Sequence, residues 1–212
     1  MAEKGIIFAA PMVRALLDGR KTQTRRLLSL GGYRGFTKFG PSDTPGYDWH
    51  FRRADGAWCD VREDRLRELL PYAPGDRLYV REAFSYDTLD VDRDGTLPPW
   101  YWADGNIPDA ERGSSNFTKP KPSIHMPRWA SRLTLLVTDV RVQRVAEISE
   151  EDAIAEGADY SFIRGAAISQ RRMFELLWNS LHDRPGQRWE DNPWVVAVSF
   201  DVKHGNIDRI NR

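Results

Sequence analysis

"SRLTLLVTDVRVQRV", residues 131–145, is the stretch on which the fold turns. Leu133, Leu135 and Val137 alternate with less apolar neighbours, the period-two signature of a strand with one buried face. The apolar phase then slips at Thr138–Asp139, and Val140 and Val142 take over. A slip of one residue would turn the wrong face to the core, so a bulge or bend is expected there. "NPWVVAVSFDV", residues 192–202, offers a matching β-branched strand with Val196, Val198 and Phe200 directed inward.

Two further segments extend the pattern. In "PYAPGDRLYVREAFSYD", residues 71–87, a Pro-Gly-Asp turn feeds a strand. Leu78, Val80, Glu82 and Phe84 share one face of it, and Tyr79 and Arg81 the other. The alternation therefore places Glu82 among apolar residues, where a carboxylate needs a partner or a role. "GIIFAA", residues 5–10, reads as a short strand leading into a helix whose first turn holds Pro11 and whose end is set by Gly19. In "ISEEDAIAEG", residues 148–157, Ser149 is the N-cap, Glu150, Glu151 and Asp152 complement the positive end, and Gly157 stops a short helix. Glu156 is its last side chain. A longer helix is expected over about residues 166–182 with Met173, Phe174, Leu177 and Leu181 as its buried stripe. Strands and helices do not alternate as βαβ units, so the expected class is α+β built on a small β-barrel with flanking helices.

The 212 residues suit a single domain spanning 1–212, with insertions at about 28–73 and 87–127. Both insertions are dense in Gly, Pro and aromatics and are expected to be long loops, of the kind that form lids or binding walls. Trp100, Trp102 and Trp129 lie in or beside the second, as packing residues or base-stacking platforms.

Lys and Arg total 31, as do Asp and Glu, so the formal net charge is zero. A protein tracking long nucleic acids through their phosphates carries a basic surplus, and this balance favours a small ligand or single nucleotide. One cysteine, Cys59, and four scattered histidines give no metal-ligand spacing, so neither a metal nor another cofactor is expected. The apolar run Ile6–Ala10 is too short for a signal-peptide core or a membrane span, making the cytoplasm the expected compartment and a membrane partner unexpected.

"DGRKTQTRR", residues 18–26, concentrates Arg20, Lys21, Arg25 and Arg26 around two threonines. It resembles the motif G-x-K-x-x-E-x-R of the ASCH-domain family, a branch of the PUA-like β-barrels. Gly19, Lys21 and Arg26 fill that motif, and Thr24 stands where many members carry glutamate. A lysine and a threonine three residues apart are similar to the motif of small ASCH proteins that hydrolyse N(4)-acetylcytidine. "GDRLYVREAF", "PSIHMPRWASR" and "NPWVVAVSF" resemble longer ASCH-type proteins of phages and prophages.

The resemblance implies a PUA-like barrel and a metal-independent amidohydrolase that cleaves the exocyclic amide of an N(4)-acylated cytidine or cytosine. Thr24 would be the nucleophile, Lys21 its base and Glu156, by the local match at residues 148–157, the group assisting the leaving nitrogen. Arg26 and Glu82 are the candidate substrate-binding residues. Lys21 can act as a base only as a neutral amine, which requires burial or cationic neighbours to depress its proton affinity. In a regular strand residues 21 and 24 point to opposite faces, so the chain must turn between them. The partner would be a small modified nucleoside. ASCH proteins are also linked to RNA binding and cleavage. The alternative is therefore an RNA-binding module or ribonuclease in which Arg20, Lys21, Arg25 and Arg26 hold phosphates.

Overall fold

The computed structural model describes residues 1–86, 99–106, 117–157 and 168–210. In chain order, β1 (Glu3–Ile7) leads into α1 (Ala10–Leu17) and β2 (Gln23–Leu27). Three short strands follow, β3 (Lys38–Pro41), β4 (Trp49–Arg52) and β5 (Trp58–Val61), then α2 (Glu63–Leu69) and β6 (Arg77–Arg81). A two-residue pair, β7 (Phe84–Ser85) and β8 (Trp100–Tyr101), precedes the long β9 (Leu133–Arg144). The chain ends with α3 (Glu150–Ala155), α4 (Gln170–Leu181) and β10 (Trp194–His204). The architecture is mixed α+β.

The main sheet has the order β1-β6-β9-β10-β2. β1 runs parallel to β6, and the other neighbours are antiparallel. Among the described residues its two edge strands, β1 and β2, share no backbone ladder. They are nonetheless close, because the Arg26 guanidinium on β2 donates to the Ile7 carbonyl on β1 at 2.6 Å. The sheet is therefore curled until one arginine side chain spans its open seam.

The slip in residues 131–145 is a bulge: Ser199 pairs with Asp139 but Phe200 with Val137, leaving Thr138 as the extra residue. Val140 and Val137 can then both face the core despite the odd spacing between them. Inside the curl, Phe8, Leu16, Leu78, Leu133, Val196 and Val198 pack into the principal core. The opposite face of β10 carries Val195, buried with Val145, Ile148, Phe174 and Trp178 beneath α3 and α4. The apolar stripe of α4 differs from the expected one. Phe174 and Trp178 are its buried residues, and Leu181 is 62% exposed. Leu181 shares the face of Phe174 and Trp178 but is the last residue of the helix.

The first insertion also differs from the expected one. Residues 28–73 are not a long loop: β3, β4 and β5 form an antiparallel meander. Its inner face, with Phe39 and Phe51, closes with Leu66 and Leu69 of α2 into a separate core. Four-residue strands give too little alternation to stand out beside the glycines and prolines of their turns. Of the second insertion, residues 87–98 and 107–116 lie outside the described residues. In the described part, Trp102 donates to the Ser85 hydroxyl at 2.9 Å, Trp100 to the Gly105 carbonyl at 3.0 Å, and Trp129 is 54% exposed. Among the described residues, no helix is long and apolar enough to cross a membrane.

Candidate active site at the start of strand β2

The turn that separates Lys21 from Thr24 is built by the end of α1. Gly19 takes a left-handed φ of 70°, and the Arg20 and Lys21 amides both donate to the Ala15 carbonyl, at 2.9 and 3.0 Å. Lys21 thus sits in a helix-exit turn, and the strand begins two residues later at Gln23. The alternation that would oppose residues 21 and 24 does not apply across this junction. Thr22 secures the turn at both ends: its amide donates to Ala155 at 2.8 Å and its carbonyl accepts from Phe200 at 2.9 Å.

From Gln23 onward β2 is regular, and its two faces do different things. Thr24 is opposite Val198 and Arg26 opposite Val196, so both belong to the interior face. Gln23 and Arg25 belong to the face covered by α3 and α4. There the Arg25 guanidinium lies over the Phe174 ring, 5.8 Å from its centroid.

Lys21 is buried at 1% exposure, an unusual state for a lysine. Its Nζ donates to two acceptors of one residue, the Glu156 carbonyl at 2.8 Å and the Glu156 carboxylate Oε2 at 2.9 Å. Glu156 is the C-cap of α3, as the sequence indicates, and its other carboxylate oxygen accepts from Arg25 at 3.1 Å. Arg25 in turn donates to Asp152 at 2.7 Å and is flanked by the Gln23 amide. Two buried cations are therefore matched by two carboxylates, which is the condition for holding charge in an apolar setting.

The approach of Lys21 to α3 depends on Gly157, which ends the helix with φ 73°. A β-carbon there would lie 2.7 Å from the Lys21 Cβ and 2.9 Å from the Ala15 Cβ. Only glycine lets the three segments meet at this distance.

Burial pushes the Lys21 ammonium below the usual lysine range, against the pull of Glu156, and Arg26 and Arg25 add to the depression. Burial opposes ionisation of Asp152, but Arg25 and Arg141 outweigh it and hold that carboxyl below its usual value.

Phe8 lies beside two of the candidate residues. The Lys21 Nζ is 5.5 Å and the Arg26 guanidinium 5.1 Å from its ring centroid. Thr24 shares the face of Arg26. Lys21 and Arg26 thus adjoin one aromatic ring, with Glu156 holding the lysine; among the described residues no hydrogen bond joins Thr24 to Lys21 or Glu156. Arg20 stands apart, pairing with Asp18 at 2.8 Å on the surface.

Glu82 is buried just past the end of β6, with Arg132 as its partner; the strand stops at Arg81, and Phe84 packs apart from Leu78 and Val80 with Met126 and Ala130. Arg132 donates to both carboxylate oxygens, at 2.9 and 3.0 Å, and to both oxygens of Asp104, at 2.8 and 2.7 Å. The same guanidinium stacks over Tyr101 at 3.9 Å. Burial pushes the Glu82 carboxyl above its usual range, with Arg132 pulling against it. The clamp ties the end of β6 to the start of β9. Among the described residues it does not join Glu82 to Lys21, Thr24 or Glu156 by any hydrogen bond.

Phe8, Gln23, Asp152, Gly157 and Arg132 did not emerge as site residues from the sequence. The inward phase of Glu82 and the glycine closing residues 148–157 were the available signals; the roles of Phe8 and Gln23 need the third dimension. Among the described residues, no three His, Cys, Asp or Glu side chains gather as metal ligands. Comparison of the chain with protein-family models, curated proteins and solved structures finds no match.

Proposed function

We propose that the chain is a metal-independent amidohydrolase of N(4)-acylated cytidine or cytosine, carried on a small PUA-like barrel of the ASCH type. The observation that carries this reading is the buried Lys21, held by Glu156 at 2.9 Å. Such a lysine is costly as a salt bridge alone, and its depressed proton affinity is what a general base requires.

A neutral amine has two N–H donors and one lone pair. Both donors have acceptors on Glu156, the carbonyl and Oε2, which leaves the lone pair to take the Thr24 hydroxyl proton. The Thr24 oxygen attacks the acyl carbonyl as that proton moves to Lys21. Collapse of the tetrahedral adduct breaks the bond to the exocyclic nitrogen, which receives the proton back from Lys21 and leaves as the cytosine amine. Water then hydrolyses the threonyl ester, with Lys21 again as base, and releases a carboxylic acid. Both Glu156 oxygens accept N–H donors, from Lys21 and Arg25, so its part is to orient the lysine, and Lys21 returns the proton to the leaving nitrogen. Arg26 uses part of its guanidinium on Ile7 and retains donors for the substrate oxygen.

The phosphate-binding reading asks Arg20, Lys21, Arg25 and Arg26 to form an exposed strip. Burial of Lys21 and Arg25 against carboxylates counts against it.

The test is ultraviolet-monitored release of cytidine from N(4)-acetylcytidine, with and without chelator. Wild type is expected to turn over in both conditions, and Thr24→Val and Lys21→Met to lose about 10²–10⁴-fold or more. No turnover by folded wild type, or full activity in Thr24→Val, would overturn the reading.

A further inference from the structure

A second candidate site lies outside this machinery, at the opposite end of β2. A cleft of about 550 Å³ opens between the β3-β4-β5 sheet and the segment before β10. Its volume falls within the range of small-molecule sites. It shares no lining residue with Lys21, Thr24 or Glu156.

Its chemistry is aromatic and cationic. Phe36, His50, Trp58 and Trp194 supply rings, and Lys38 and Arg144 supply charge. Trp58 is 51% exposed, an unusual amount for an indole, and is braced by the His50 ring with centroids 4.7 Å apart. Arg144 is spread over the Trp194 ring at 4.3 Å and spends one nitrogen on the Asn192 carbonyl at 2.9 Å. Among the described residues, neither Lys38 nor Arg144 is paired with a carboxylate. The one acid in the lining, Asp191, is engaged by the Gly186 and Arg188 amides at 2.8 and 3.2 Å. An exposed indole in a cleft with two cations that have no carboxylate partner among the described residues complements a ligand with a planar ring and an anionic group.

We propose that this cleft is a nucleotide-binding site, with the base against Trp58 and the phosphate at Lys38 and Arg144. The ligand is a free nucleotide or a nucleotide within a single strand. The inference does not rest on the hydrolase reading, since it concerns different residues.

The test uses cytidine 5′-monophosphate in calorimetry and a fluorescein-labelled oligo(C) RNA octamer in anisotropy, each with full-length protein. Binding is expected, with Trp58→Ala weakening it roughly tenfold or more and Trp58→Phe restoring most of it. Arg144→Gln should flatten the dependence of log K on log salt for the octamer by about 0.7. Tighter binding of the mononucleotide assigns the free ligand; tighter binding of the octamer assigns the strand. Hydrolysis of N(4)-acetylcytidine, where wild type performs it, should be unchanged in Trp58→Ala. The proposal is overturned if neither probe binds at millimolar concentration, or if Trp58→Ala and Arg144→Gln bind like wild type. Binding abolished by Lys21→Met and untouched by Trp58→Ala would place the ligand in the first site and overturn it equally.

Discussion

Replacing Gly157 by alanine probes how closely the lysine turn is packed against α3, and the structure supplies its own control. Gly157 and Gly19 have nearly the same backbone conformation, φ 73° and 70°. An L-residue in that region costs about 1–2 kcal/mol whatever its surroundings. They differ in space: a β-carbon at Gly19 meets nothing within 4 Å, whereas one at Gly157 meets the Cβ atoms of Lys21 and Ala15 at 2.7 and 2.9 Å. Those neighbours are buried and cannot swing aside, so the chain must shift, which adds about 1–3 kcal/mol. Gly19→Ala should therefore lose about 1–2 kcal/mol and Gly157→Ala about 2–5 kcal/mol in all. Urea unfolding at pH 7, with equal m-values required for the comparison, measures both. The displaced lysine would also lower hydrolysis in Gly157→Ala more than in Gly19→Ala. Equal destabilisation by the two substitutions would refute the close approach, and with it the account of how Lys21 reaches Glu156.

Other expectations concern the buried charges. Lys21→Met leaves Glu156 with Arg25 alone, whereas Glu156→Gln leaves two buried cations with Asp152. Removing one member of a buried pair costs about 3–5 kcal/mol, and Glu156→Gln should be the more damaging in denaturant titrations. The depressed Lys21 has a sign in pH. Between its lowered folded value and the ordinary 10.5 the unfolded chain binds the extra proton, so stability gained from this group rises with pH. The wild-type minus Lys21→Met stability difference should therefore increase from pH 7 toward pH 10; a flat or falling difference would contradict the depression. Arg132→Met strands the Glu82 carboxylate, whose folded proton affinity is already raised by burial. It should lose about 3–5 kcal/mol at pH 7, and the loss should shrink toward pH 5 as Glu82 takes up a proton. A deficit independent of pH would mean that Glu82 is not the group being stranded.

Much of the main sheet was legible because its strands are long. β9 and β10 carry enough alternating Leu, Val and Phe to fix face and phase, and the bulge at Thr138 follows from a break in that alternation. Caps were equally legible: Ser149 accepts from the Asp152 amide at 3.1 Å, and Gly157 ends the helix. The meander of β3, β4 and β5 was not, because four-residue strands hold at most two inward positions each. On α4 the apolar pattern marks Leu181, which is exposed at the helix end, and passes over Trp178, whose half-polar indole buries most of its surface. Lys21, Thr24 and Glu156 were named by a short motif and its helix, but burial could not be read there. Four cations in nine residues look solvated until the partner carboxylates, 127–135 positions away, are in place.

That separation gives β2 a double function. Strand alternation sends Gln23 and Arg25 to the face of α3 and α4, where they hold Asp152 and Glu156. The intervening Thr24 and the following Arg26 go to the interior face, where Arg26 lies over Phe8. Lys21, one turn earlier, belongs to neither phase and crosses between them: its ammonium reaches Glu156 on one side and the Phe8 ring on the other. A continuous strand would have committed residue 21 to the face of Gln23 and Arg25, away from Thr24. The turn at Gly19 is therefore what lets one carboxylate, anchored by Arg25 behind the sheet, hold a buried amine beside the Phe8 ring. Neutralising Arg25 by Arg25→Met should then loosen Glu156 and also remove a cation that depresses Lys21. If Lys21 is the base, the ascending limb of the pH–rate profile moves to higher pH. A variant that merely lost stability would lower the rate without moving that limb, and such a result would separate the brace from the chemistry.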